Sequence, residues 1–431
     1  MTPVMPAVEP RPRPTATRAW RNRDFRRLWV ASAVSSFGSE MGELALPLLA
    51  IITLSASAAE VGLLRTAQFL PFLLATLPLG VLVDRRARRP LMIGADLGRF
   101  VLVGTIPVVV WAGVAGMEFL YVAVCAAGVL TVLYQLADFA FVPTVVPSHQ
   151  LVDANGKLAA AQSANEIAGK GVGGAIVGAL TAPVAVLVNA TTFLVSALSL
   201  WRISTAEPVG LREPEHQPPR RYFAEGLRLA LRNRYVRPLL GEATTFNFFN
   251  EIFILGLLLF AVRDLGLGPV HIGLVFTAGG VGSFLGAWFG ARATGRFGYG
   301  RVLLLTLILG NTAPVAVLLL GDGRAVAVAT LGGLFLVMGV GIGVANTHAV
   351  SLRQTAVGDH VRGRVNAAYR LISWGAIPLG AALGGVLAAG LGSEQAMIIG
   401  ALGMPLATLW VALSPVRRLA TIHGATSQGT P

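Results

Sequence analysis

Charge is scarce in this chain. Only 13% of its 431 residues are Asp, Glu, Lys or Arg, against about 25% in an ordinary soluble protein. Lysine is almost missing, since Lys157 and Lys170 are the only two among 34 basic residues. Cysteine occurs once, as Cys125, which excludes an intrachain disulfide framework. One cysteine and six histidines without ligand spacing give no metal site. There is no Walker sequence, hence no built-in ATPase, and Gly341-Ile-Gly343 lies in an apolar run without the strand–turn–helix context of a phosphate loop. The first 27 residues have no apolar signal-peptide core and read as a tail. The net charge of +13 does not indicate nucleic acid, because the arginines fall in short clusters between apolar runs.

What is abundant is apolar sequence: 54% of residues are hydrophobic and the mean hydropathy is +0.69. A helix crosses the hydrocarbon core with about 20 mostly apolar residues. Such runs fall at 28–54, 60–83, 91–113, 117–141, 157–179, 182–202, 238–262, 271–292, 302–321, 325–350, 365–390 and 394–414. The expectation is an all-α integral membrane protein of twelve spans in two six-helix bundles related by a pseudo-two-fold axis. The division is a tail over 1–27, a bundle over 28–202, a linker over 203–237, a second bundle over 238–414 and a tail over 415–431. Arginine falls in alternate connections and in both tails, while the other side keeps little beyond Arg263 and Arg324. The positive-inside bias therefore predicts both termini in the cytoplasm, with the protein in a plasma (inner) membrane. Within the linker, FAEGLRLALRNRYV reads as an amphipathic helix at the membrane surface, and membrane lipids are expected partners.

The halves repeat faintly. Gly80 and Gly290 are 210 residues apart, and Arg89-Pro90-Leu91-Met92 has a counterpart in Gly300-Arg301-Val302-Leu303. Such duplication is a common build of secondary transporters, whose substrate site lies near mid-membrane between the halves.

The loop Gly80-x-Leu82-x-Asp84-Arg85-x-x-Arg88-Arg89 resembles the signature loop of the major facilitator superfamily. Gly80 suits a tight turn, and arginines suit anionic headgroups. In that superfamily the acid contacts the start of a helix in the other half and latches the outward-facing state. The resemblance thus makes Asp84 a gating residue, supported by Arg85, Arg88 and Arg89; the second half has Thr294 instead. Further stretches resemble the macrolide-efflux and enterobactin-exporter branch: Asn22-Arg-Asp-Phe-Arg26, Leu91-Met-Ile-Gly-Ala-Asp96-Leu-Gly-Arg99, Leu151-Val-Asp-Ala-Asn155 and Val361-Arg-Gly-Arg-Val365. They add Asp96 and Arg99 to the gate. Two departures stand out. Lys170 replaces a proline expected in span five, and Asp138 stands where relatives often carry arginine.

Charges within spans are costly and mark function by default. Glu40 and Glu43 share a face of span one, and Glu166 and Lys170 form an i, i+4 pair at a similar depth in span five. A bridge from Lys170 to Glu40 or Glu43 has two readings: a fixed lock within the first half, or a proton-coupling group. In span seven Asn247, Asn250 and Glu251 share a face, with Glu242 nearer the start; Asn247 alone reads more readily as a helix–helix hydrogen bond. Tyr134 and Gln135 of span four, with Tyr369 and Trp374 of span eleven, complete an amphipathic substrate pocket. Arg370 reads as a snorkelling residue, His348 as a solvated span end, and Arg65 as an outer-surface partner of Glu60.

The leading expectation is a secondary transporter, not an enzyme. It would export an amphipathic small molecule (drug, macrolide-like natural product or siderophore) by alternating access, with the proton gradient as energy source, no cofactor, and a monomer as the working unit. An importer of an anionic metabolite bound by Lys170 and a non-transporting membrane sensor are the alternatives.

Overall fold

The computed structural model describes residues 19–207, 219–321, 323–358 and 361–422. The tails before 19 and after 422 and the Pro-rich segment 208–218 lie outside them. The described residues are helical, without strands. Fifteen α-helices follow in order: α1 Arg23–Leu48, α2 Ala58–Leu74, α3 Thr76–Arg85, α4 Arg88–Trp111, α5 Met117–Val145, α6 Leu151–Ala179, α7 Ala182–Trp201, α8 Pro219–Arg232, α9 Val236–Arg263, α10 Pro269–Phe297, α11 Tyr299–Thr312, α12 Arg324–Ala356, α13 Arg362–Leu391, α14 Ser393–Gly403 and α15 Pro405–Ala412. Among the described residues nine spans are long and apolar enough to cross a membrane; α2 and α3, bent by 51°, make a tenth. The bend falls where Pro78 cannot donate to the carbonyl of Leu74.

α1 and α6 bring the number to twelve. They miss the apolar threshold for a physical reason. α1 carries Ser32, Ser35, Ser36, Ser39, Glu40 and Glu43, and α6 carries Gln162, Asn165, Glu166 and Lys170, nearly all of them facing a central cavity. Helices that face water need not be apolar all round.

α1 to α7 form one bundle and α9 to α15 the other, and α2–α13 and α6–α10 are the main contacts between them. A register of 211 residues relates the bundles: α6 maps onto α13, and α1 onto α9. The end caps obey it as well. Asn22 caps α1 and donates from Nδ2 to the Val145 carbonyl at the end of α5 (2.8 Å). Asn233 receives the N–H groups of Tyr235 and Val236 at the start of α9, and donates to the Ala356 carbonyl at the end of α12 (2.8 Å). The chain leaving each bundle returns to its third span. Glu207 accepts the N–H groups of Arg88 (2.7 Å) and Arg89 (2.6 Å), while the carbonyls of Leu419 and Ala420 accept those of Gly300 and Tyr299.

Several expectations are corrected here. Residues 19–27 and 415–422 are folded parts of the bundles and not tails; Ala19 and Val416 are fully buried. Gly80 lies inside α3, and a Cβ there would meet nothing, so no tight turn requires it. The 211 register also sets it one position off Gly290. The helix expected in the linker is α8, and it docks on α13: Ala230 is buried, Gly226 sits against the Arg364 carbonyl, and Arg364 pairs with Glu225 at 2.8 Å. His348 is buried, not solvated, and its carbonyl accepts from the Tyr299 hydroxyl at 2.5 Å.

Candidate functional site

A cavity of about 830 Å³ lies between the bundles. Its lining runs from Ser32 on α1, Val142 on α5 and Asn155 on α6, near the face that carries the termini, to Glu43, Arg65 and Ile254 deep inside. Beyond those residues the bundles close. A Cβ on Gly62 of α2 would lie 2.5 Å from the Gly385 Cα of α13, and one on Gly174 of α6 would lie 2.8 Å from the Gly273 Cα of α10. The two glycine contacts are mates under the 211 register. Backbones this close need small residues on both sides. The Arg263 guanidinium bonds the Ala56 carbonyl across the same end. The cavity therefore opens toward the terminal face and is sealed at the far face.

Lys170 projects from α6 between two carboxylates of α1, with Nζ 3.6 Å from Glu40 and 3.5 Å from Glu43. Gly169 makes this approach possible, since a Cβ there would fall 2.5 Å from the Glu40 Cβ. Glu166 does not pair with Lys170 as its i, i+4 spacing suggested; it receives the Gln162 amide at 3.5 Å. The other carboxylate oxygen of Glu43 lies 3.5 Å from Arg65, and Arg65 grips Glu251 of α9 in a bidentate pair at 2.7 and 3.0 Å. The series Glu40–Lys170–Glu43–Arg65–Glu251 thus spans both bundles.

Arg65 is the residue that the sequence reading misplaced. It is 3% exposed and nowhere near a surface. Its expected partner Glu60 instead forms a capping box with Ser57 at the start of α2. A lone arginine inside an apolar span was the available signal. Arg370 is likewise not a snorkelling residue. It lies over the Trp374 ring at 4.6 Å and donates to Gln135 of the opposite bundle.

The remaining residues separate. Tyr134, Gln135, Asn247, Asn250, Glu251 and Trp374 line the cavity. Asn247 donates to the Ser373 carbonyl at 2.7 Å, the helix–helix bond expected of it. Tyr369 does not line the cavity, because its ring is buried under Arg353 and its hydroxyl donates to the Leu239 carbonyl. Glu242 is buried within the second bundle, beside Asn311. Asp96 and Arg99 are paired inside the first bundle. Arg99 packs between the rings of Tyr134 (4.6 Å) and Phe193 (4.2 Å) and bonds Ser35 at 3.0 Å. They join α4 to α1, α5 and α7, so they brace a bundle and do not form a gate between bundles. Asp138 accepts from Ser32 at 2.8 Å on the cavity wall. Asp84 and Arg85 are exposed at the end of α3, which touches α8. Arg89 bonds the carbonyls of Leu200 (3.0 Å) and Trp201 (2.5 Å) at the end of α7, a contact within its own bundle.

The two walls differ chemically. Seven of the nine Asp, Glu, Lys and Arg lining residues belong to the first bundle, whereas the second presents Ile254, Phe276, Phe335, Met338, Ile342 and Ile377. Among the described residues no three His, Cys, Asp or Glu side chains converge as metal ligands.

Comparison with known proteins agrees with this architecture. A family model described as transmembrane secretion effector, of the MFS group, matches residues 15–429. An uncharacterised MFS-type transporter, YfiS, of Bacillus subtilis (strain 168) is 26% identical over 381 residues, covering 86% of this chain and 88% of YfiS. A bacterial homologue of the iron transporter ferroportin in its inward-facing state superposes with a TM-score of 0.71 at 16% identity, over 91% of this chain and 98% of that one. The nucleoside transporter NupG gives 0.68 at 12% identity, over 90% and 98%. At these identities the two solved structures establish the fold alone.

Proposed function

The chain belongs to the MFS family of transmembrane secretion effectors and is a transporter of that kind, and on that premise we propose that it exports an amphipathic small molecule by proton antiport. The observation that carries the reading is the divided cavity, ionic on the first bundle and apolar on the second. A cargo with a polar head and an apolar body satisfies both walls at once; a small hydrophilic solute would leave the apolar wall wet. The family description, a secretion effector, favours export, and a cavity of this size suits a drug-sized cargo; in this reading the cargo is a drug, a macrolide-like natural product or a siderophore.

Proton coupling rests on charge. Three carboxylates and two cations make up the series from Glu40 to Glu251, which is one positive charge short when all five are ionised. With no cation to spare, a carboxylate whose partner is drawn away in the transport cycle is left uncompensated, which is costly, and a proton supplies what is missing. Lys170 is already held by two glutamates, so an anionic cargo would have to displace both; this counts against the importer reading. A metal cargo has no converging ligand set among the described residues. In this reading the protein sits in the plasma (inner) membrane as a monomer, with both termini cytoplasmic and the proton gradient as its energy source.

The test is uptake of a cationic dye and a macrolide into inverted vesicles, with Glu40→Gln and Glu43→Gln beside the wild type. Proton-driven uptake by the wild type, lost at least tenfold in one variant, is expected. A wild type that moves neither compound and dissipates no proton gradient sinks the proposal.

A further inference from the structure

We infer that Glu251 is the group that carries the transported proton, and that Arg65 is the positioning residue that expels it. This rests on the antiport reading and names the group on which it turns. Under the 211 register Glu40 and Glu251 are equivalent positions, and so are Arg65 and Phe276. The symmetry breaks in how each glutamate finds its cation. Glu40 is served by Lys170, which belongs to its own bundle and travels with it. Glu251 is served by Arg65 across the interface, while the equivalent position on its own side is the aromatic Phe276.

Among the described residues no second cation pairs with Glu251: Arg370, the other cation its own bundle puts on the cavity wall, sits ten residues from Gly380 along α13, over the Trp374 ring and bonded to Gln135. Arg65 reaches it from α2, with Glu43 and Glu40 of α1 and Lys170 of α6 lying behind that guanidinium. From α13 it meets Gly380, whose absent side chain lets the two helices close; a Cβ there would lie 3.1 Å from the Glu251 Cβ. α10 and α12 offer Phe276, Phe335 and Met338, none of them charged, and its own helix offers Asn247 and Asn250. Arg65, by contrast, has a second partner on its own side: Glu43, through its carboxylate at 3.5 Å and its carbonyl at 3.4 Å.

Opening the far face must part Gly62 from Gly385 and Gly174 from Gly273, and with them α2 from α9. Arg65 then leaves with Glu43 still beside it, and Glu251 is left an unpaired carboxylate facing the far-side water. It takes one proton there, forming an O–H bond on a carboxylate oxygen. When the far face closes, the guanidinium returns. The O–H bond breaks, the proton passes to water in the cavity open at the terminal face, and the two N–H donors of Arg65 take its place. Each cycle therefore moves one proton from the far face to the terminal face, opposite to an exported cargo.

The proposal is tested without any cargo. Cys125→Ala leaves the chain free of cysteine, and spin labels at Thr53 and Glu394, both exposed at the far face in opposite bundles, report its opening as a distance distribution. In liposomes at equal pH on both sides, the wild type is expected to shift toward the longer distance as pH falls, and Glu251→Gln to give one distribution at every pH. Arg65→Lys keeps the charge but loses the bidentate grip. A weaker competitor lets the proton win earlier, so its transition moves to higher pH. A wild type insensitive to pH, a transition that survives Glu251→Gln, or an Arg65→Lys midpoint that stays or falls overturns the assignment. Dye transport can fail while this transition holds, which would indict the cargo and not Glu251.

Discussion

Asp24 ties two distant segments together with one carboxylate. At the first turn of α1, outside the membrane-spanning stretch, it accepts the N–H groups of Ser204 (3.0 Å) and Thr205 (2.8 Å) and the Thr205 hydroxyl (2.7 Å), and it pairs with Arg27 at 2.9 Å. Burial pushes its pKa up, but the hydrogen bonds from Thr205, Ser204 and Arg27 outweigh this and hold it below the usual carboxylate value. A lowered folded pKa means stability that is present above the unfolded value, about 4, and lost as pH falls through the folded one. Asp24→Asn should therefore cost about 1–2 kcal/mol at neutral pH. Melting in micelles checks it: the gap between variant and wild type should be wide at pH 7 and narrow progressively as the pH falls below about 4. The same scale shows what a sequence hides. Lys170 was legible as an intramembrane partner of Glu40 and Glu43 because depth along a helix is countable. The pairing of Arg65 with Glu251, 186 residues away, depends on which helices cross, and counting along one span cannot give that.

Among elements, the long apolar helices were legible from runs of residues, and α1 and α6 less directly, because each interrupts its apolar run with a polar face. The docking of α8 on α13 was not, since it depends on what a neighbour permits; the break between α2 and α3 has its signal in Pro78, which sits inside what reads as one unbroken apolar run. The glycines at the far face belong to this scale. They are ordinary in a membrane helix, and only the 211 register reveals two matched contacts. Gly62→Val would place a Cβ 2.5 Å from the Gly385 Cα and 3.0 Å from the Ala381 carbonyl, neither of which can move aside without its helix. The far face must open to admit it, so the population shifts toward the alternative state. A cysteine at Gln162, exposed on the cavity wall, should then react several-fold more slowly with an impermeant maleimide applied to inverted vesicles, in a background lacking Cys125. An unchanged rate would mean that the glycines pack the bundles without setting their equilibrium.

At the scale of the molecule, the division into two bundles was legible from the apolar runs and the long basic linker. The division of labour between them was not. The repeat has drifted so far that Glu43 faces Ile254, Arg65 faces Phe276 and Lys170 faces Ala381 under the register. The first bundle keeps the charge and the second has become the apolar wall. Substitutions on the two walls should consequently fail in different ways. Ile342→Ala or Ile377→Ala removes apolar contact from the cargo's body in every state, a uniform loss of about 1–2 kcal/mol, which raises KM roughly 5–30-fold with little change in the maximal rate. Glu43→Gln touches the charge series and should lower the maximal proton-driven rate instead. Initial rates over a range of dye concentrations in inverted vesicles separate the two. If the isoleucine variants lower the maximal rate and spare KM, the apolar wall serves the motion of the bundles, and the cargo binds elsewhere on the ionic wall.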